Sequence, residues 1–115
     1  MAIPSGSGTE VLKRAVVDGA NNTTTSVLTV PTDHIYTVLT ITIFNNDSAN
    51  KTFHIYYDTT GSNNIFIQKS TSLPAEECFV WNDRLVLTAG DVLKIQSTST
   101  ETDIVCSYID QDWTT

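Results

Sequence analysis

The chain has 115 residues, enough for one domain and too few for two well-formed ones. It is 40% hydrophobic and 17% charged, and its 6 basic residues against 13 acidic ones give a net charge of −7. Clustered Lys and Arg are missing, so neither nucleic-acid phosphates nor an anionic membrane surface is expected as a partner; a basic partner surface, or solubility at high copy number, fits the charge better. A chain this size buries roughly 65% of its unfolded surface and needs neither metal nor disulfide to fold.

Residues 1–8, Met-Ala-Ile-Pro-Ser-Gly-Ser-Gly, read as an N-terminal arm with the basic and apolar regions of a signal peptide absent. Residues 9–115 read as the folded domain. The first strand is predicted over residues 10–17, ended by Asp18-Gly-Ala-Asn-Asn, and the second over residues 25–30, closed by Pro31. The longest, residues 35–45, puts Ile35, Thr37, Leu39, Ile41 and Ile43 on one face and Tyr36, Val38, Thr40, Thr42 and Phe44 on the other. Both faces are partly apolar, as for a central strand or one at a subunit contact. Residues 51–58 follow, with Phe53, Ile55 and Tyr57 opposite Thr52, His54 and Tyr56. After the loop Thr59-Thr-Gly-Ser-Asn-Asn come strands over residues 65–69, 76–81, 84–87, 91–97 and 103–110, with tight connections at Asn82-Asp83 and Ala89-Gly90. No stretch keeps a helical period and no internal repeat is present. The reading is an all-β, single-domain antiparallel β-sandwich, jelly-roll-like, of about eight or nine strands.

Several segments carry a further pattern. Leu73-Pro-Ala-Glu-Glu, Trp81-Asn-Asp-Arg-Leu-Val-Leu, Ala89-Gly-Asp-Val-Leu and the closing Val105-Cys-Ser-Tyr-Ile resemble small virion structural proteins of tailed bacteriophages, as does a Pro/Ser/Gly arm running into Val11-Leu-Lys-Arg. Glu76 stands where glycine is commoner in "Leu-Pro-Ala-Gly-Glu", so that turn is expected to differ. The resemblance implies a small β-sandwich built into a phage particle as a symmetric homo-oligomer, a trimer being expected, made in the host bacterial cytoplasm and located in the virion. The partners it implies are further copies of this chain and the major capsid protein or another virion protein.

No catalytic constellation is found. His34 and His54 lack the companions of a zinc site and read as solvated or hydrogen-bonded. Asp58-Thr-Thr-Gly-Ser-Asn-Asn lacks the alternating acids of a calcium loop and reads as a turn. Glu76 and Glu77, adjacent on a strand, would point to opposite faces. Ser107, Cys78 and Cys106 have no evident base and no nucleophile-elbow pattern. The thiols read as reduced, buried and apolar-acting, although a bridge between them stays open. No cofactor and no enzyme activity are expected. The sequon-like Asn22-Thr-Thr and Asn50-Lys-Thr carry no weight without a signal peptide.

The aromatics divide three ways: core, protomer contact or sugar platform. Phe79 and Trp81 share one face, Cys78 and Val80 the other. The candidate interface comprises Ile3 and Pro4 in the arm, Tyr36, Phe44 and Tyr56 on strands, and Trp113, which is expected to dock on its own domain or a neighbour because an exposed Trp is costly. The function expected is a non-enzymatic head decoration protein. The alternatives are a neck, tail or baseplate subunit, which differs in stoichiometry, and a glycan- or receptor-binding module, which would show ligand-dependent Trp quenching.

Overall fold

Thr, Val and Ile are stiff at χ1 and pack well on a pleated surface. Where they recur in this chain, strands form. The computed structural model describes residues 9–20, 24–59, 63–99 and 101–113. Its nine strands are β1 (Thr9–Ala20), β2 (Thr24–Thr29), β3 (His34–Asn45), β4 (Lys51–Thr59), β5 (Asn63–Leu73), β6 (Cys78–Trp81), β7 (Leu85–Thr88), β8 (Val92–Ser97) and β9 (Thr102–Asp112). Every pairing is antiparallel.

The first sheet runs β1-β9-β3-β6, with β7 also paired to β3; the second runs β2-β8-β4-β5. β6 and β7 act as one edge strand interrupted at Asn82, so the architecture is two four-stranded sheets. Successive strands alternate between the sheets, and only the β4–β5 hairpin stays within one. That is the strand order of a jelly roll. Sequence and structure agree on fold class and on nearly every strand. The main differences are longer β1, β5 and β9, and a turn at Glu76 and Glu77 where a strand start is predicted.

The core lies between the sheets. Val38, Ile41 and Ile43 of β3, Phe53 and Ile55 of β4, Leu93 and Ile95 of β8, and Ile104 and Cys106 of β9 are fully or almost fully buried. Phe53 packs on Phe79 of the opposing sheet at 4.8 Å between ring centroids. One correction concerns β3. A register shift between Val38 and Thr40 moves the alternation by one residue midway along the strand. Tyr36, Val38, Ile41 and Ile43 therefore all point inward, and Ile35, Thr37, Thr40, Thr42 and Phe44 point outward. Simple period-two reading splits these sets differently.

Turns are fixed by local bonds. Gly90 holds φ +91° in the turn from Thr88 to Asp91. The Asp91 carboxylate accepts from the Thr88 N–H at 2.9 Å, and Gly90 N–H donates to the Val30 carbonyl. At one end of the sandwich the fully buried Asn45 serves three loops. Its amide faces the carbonyls of Ala49, Leu73 and Pro74 at 3.0, 3.1 and 3.2 Å, while its oxygen accepts from Asp47 N–H and the Ser99 hydroxyl. A buried amide left without these partners would cost several hydrogen bonds at once.

Candidate functional site

The outward face of the first sheet is built from alternate residues of five strands. Register places Val16, Val105, Thr42 and Val80 in one transverse row, and Leu12, Ile109, Thr37 and Val86 in another. Between the rows, Arg14 and Thr40 flank Ser107. Leu12 is 71% exposed, Val16 and Val86 58%, Val80 51% and Val105 37%. Five of the eight exposed large hydrophobics among the described residues thus share this face. The small Ser107 floors a shallow cavity of about 470 Å³ lined by Leu12, Lys13, Arg14, Leu39 and Thr40. Arg14 is the charge in the middle of the face; Glu10 lies at one end, and Asp18 and Asp103 at the other. Cys78, expected to be buried, is instead exposed on the same face beside Val80, because β6 turns Phe79 and Trp81 inward and this pair outward. Cys106 is buried on the inner face of β9, where loss of solvation pushes its thiol up to about 12. The two thiols lie on opposite sides of one sheet, which closes the question of a bridge between them.

Both ends of the first sheet carry charge. On the inner side of β1, Lys13 donates to Asp110 Oδ2 at 2.7 Å, and His34 Nδ1 lies 2.7 Å from Asp110 Oδ1. His34 Nε2 is 3.4 Å from Asp112. Burial works against ionisation of Asp110, yet the hydrogen bonds from Lys13 and His34 outweigh it and hold the carboxyl below its usual range. The same bond to Asp110 holds the Lys13 ammonium above its usual range. Both histidines are hydrogen-bonded: His54 Nδ1 accepts from the Ser70 N–H at 2.9 Å, which places the ring proton on Nε2. Asp18, Glu101 and Asp103 bring carboxylate oxygens within 4.8 Å of one another. Asp103 is already engaged by the Gly19 N–H at 3.0 Å. Such exposed acids commonly adjoin at strand ends.

The second sheet's outward face is polar and aromatic. Phe66 of β5 stacks on Tyr56 of β4 at 5.0 Å, takes His54 edge-on at 5.9 Å, and has the Lys69 ammonium 4.9 Å over its ring. Even with these neighbours Phe66 stays 42% exposed. Lys94 reaches Asp58 at 3.4 Å on this side.

Among the described residues, the candidate interface positions are not brought together. Tyr36 lies inside the core against Tyr108, with ring centroids 4.7 Å apart, because the β3 shift turns it inward. Phe44 is half-buried on the first sheet's outward face, in register with Cys78. Tyr56 is on the other sheet, covered by Phe66. Trp113 follows β9, and its backbone N–H donates to the Asp33 carbonyl at 2.8 Å; its indole Nε1 is buried with no acceptor among the described residues. Ile3 and Pro4 lie outside the described residues. Sequence reasoning missed Leu12, Val16, Val80, Val86 and Val105. The available signal was apolar character on both parities of strands around β9.

Comparison with known proteins agrees with the fold. No family model matches the chain, and no curated protein matches it. A chain in the structure of Bacillus endospore appendages, a family of disulfide-linked pili, is similar over 99% of this chain and 97% of its own, with 14% identity and a TM-score of 0.57. A chain of the Gx strain of infectious bursal disease virus is similar over 95% of this chain, with 9% identity and a TM-score of 0.55. This chain spans 33% of that viral chain. A pentameric capsid protein isolated from metagenomic phage sequences overlays less closely, with a TM-score of 0.45, 19% identity and coverage of 85% and 61%. At these identities the likeness is one of fold.

Proposed function

We propose that this chain is a non-enzymatic structural subunit of a bacteriophage particle, and within it a head decoration protein that stabilises the capsid. The observation that carries the reading is the outward face of the first sheet, where apolar side chains of four strands stand exposed in registered rows. A solvent face of an antiparallel sheet is ordinarily polar; an apolar one marks a contact. The jelly-roll order and the phage-like segments around Leu73-Pro-Ala, Gly90-Asp and the closing strand support the same reading. Its mechanism is mechanical. Covering the face, with the shell or with a further copy of this chain bound to the shell, removes apolar surface from water at about 25 cal/mol per Å² and adds that energy to the cost of shell rupture. The arm, with Ile3 and Pro4, is assigned to a neighbouring subunit or the shell.

The overlay along the full length of a pilus chain favours a second reading, a subunit of a self-assembling filament in which the exposed Cys78 would take part in links between copies. Purified protein mixed with particles lacking it separates the two. Decoration predicts co-sedimentation at a saturating stoichiometry and slower heat-induced rupture, weakened when residues 1–8 are deleted. Reductant-sensitive filaments without particle binding would contradict it. An arm deletion that binds as well as the full chain would remove the arm from the contact.

A further inference from the structure

The outward face of the first sheet is laid out so that it matches itself, and from this we infer that it pairs with the same face of a second copy about a two-fold axis running along the strands. The inference deepens the structural-subunit reading and rests on it only for its biological setting. Such an axis preserves position along the strands and exchanges the two margins of the sheet. It lays β1 of one copy over β6 and β7 of the other. The row Val16, Val105, Thr42, Val80 then meets itself reversed, so Val16 faces Val80 of the second copy and Val105 faces Thr42. The row Leu12, Ile109, Thr37, Val86 does the same, setting Leu12 against Val86. Residue i touches j and j touches i, as an isologous contact requires.

Apolar character rather than charge favours this face over the others. Two copies of net charge −7 repel one another. Acids on this face lie at its ends, while the other sheet's outward side carries Asp58, Lys94 and Lys69. The two Arg14 side chains, on β1, go to opposite margins. Each approaches the break between β6 and β7, where Asp83 is exposed beside Arg84. Edge pairing is the weaker route. The free edge of β1 is guarded by the inward-pointing Lys13, bound to Asp110, and by the irregularity between Val17 and Ala20 at Gly19, φ +72°. Area is adequate. Four strands at about 4.8 Å spacing, over about eight residues at about 3.3 Å rise, give a face of roughly 500 Å². Two such faces bury roughly 1,000 Å², the lower bound for a specific interface.

The test uses the full chain in reducing buffer, by sedimentation equilibrium over a wide concentration series, with the rate of Cys78 labelling by a thiol reagent measured at each concentration. The expected result is a monomer–dimer equilibrium in which dimer formation slows labelling. Val105→Lys and Val80→Lys, both at exposed outward positions, are expected to weaken dimerisation by about a hundredfold or more, since each strands a charge in an apolar contact. Unchanged circular dichroism and melting would show the variants folded; Thr52→Lys, on the other sheet, serves as the control that should still dimerise. A chain that stays monomeric throughout, or a dimer untouched by both lysines, overturns the pairing. Monomeric protein that nevertheless saturates phage particles would overturn the pairing and leave the structural reading standing.

Discussion

Glu76 holds φ +57° in the turn between Pro74, whose carbonyl accepts from the Glu77 N–H at 3.3 Å, and the start of β6. The phage-like pattern has glycine there, and the backbone keeps the left-handed conformation that glycine favours while a side chain bears the strain. A Cβ in that region costs about 1–2 kcal/mol, and glycine returns about 0.5–1 kcal/mol of that as chain entropy. Glu76→Gly is therefore expected to stabilise the fold by roughly 0.5–1 kcal/mol, read as a higher urea midpoint at unchanged slope. Glu76→Ala, which keeps the Cβ, should leave the midpoint where it is. Equal midpoints for all three proteins would mean that the turn carries no strain.

β1 is an edge strand of twelve residues, and at one end an ion pair adds to its ladder with β9. Lys13 reaches inward to Asp110, which His34 of β3 also contacts, so one carboxylate ties β1, β3 and β9. The Asp110 carboxyl titrates lower in the folded state than in the unfolded one. The stabilisation is therefore fully present above the ordinary carboxylate pKa and is lost as pH falls through the lower folded value. A melting series from neutral pH into the acid range should show a steep acid limb. Asp110→Asn should flatten it and reduce stability at neutral pH. An unchanged limb would mean that Asp110 is not the group responsible. Periodicity made the strands themselves legible, and alternation correctly set Phe79 and Trp81 on one face and Cys78 and Val80 on the other, without saying which face meets water. It failed within β3 because a register shift is set by pairing with β9, not by any turn residue in the strand. The Lys13–Asp110–His34 cluster was illegible for a similar reason: its members are brought together only by register across two strand pairs.

At the scale of the molecule, two unlike outward faces decide the account. The second sheet shows water Lys94, Asp58, His54 and one exposed ring, Phe66, lying over the buried Tyr56; the first shows it Leu12, Val16, Val80, Val86 and Val105. Which face would be apolar could not be read from the sequence, because it depends on which strands the jelly-roll order makes neighbours. Val16, Val105 and Val80 lie far apart in the chain and form a row only through β9 and β3. An exposed apolar face of this kind marks a contact with another molecule. The most direct test of the proposal is the copy number of this chain, measured by quantitative mass spectrometry against the major capsid protein, in purified particles of any phage whose genome carries its gene. A ratio near one-to-one is the result predicted for a decoration subunit. A few rings' worth of copies would move the chain to the neck or tail, and complete absence from the particle would contradict the structural role.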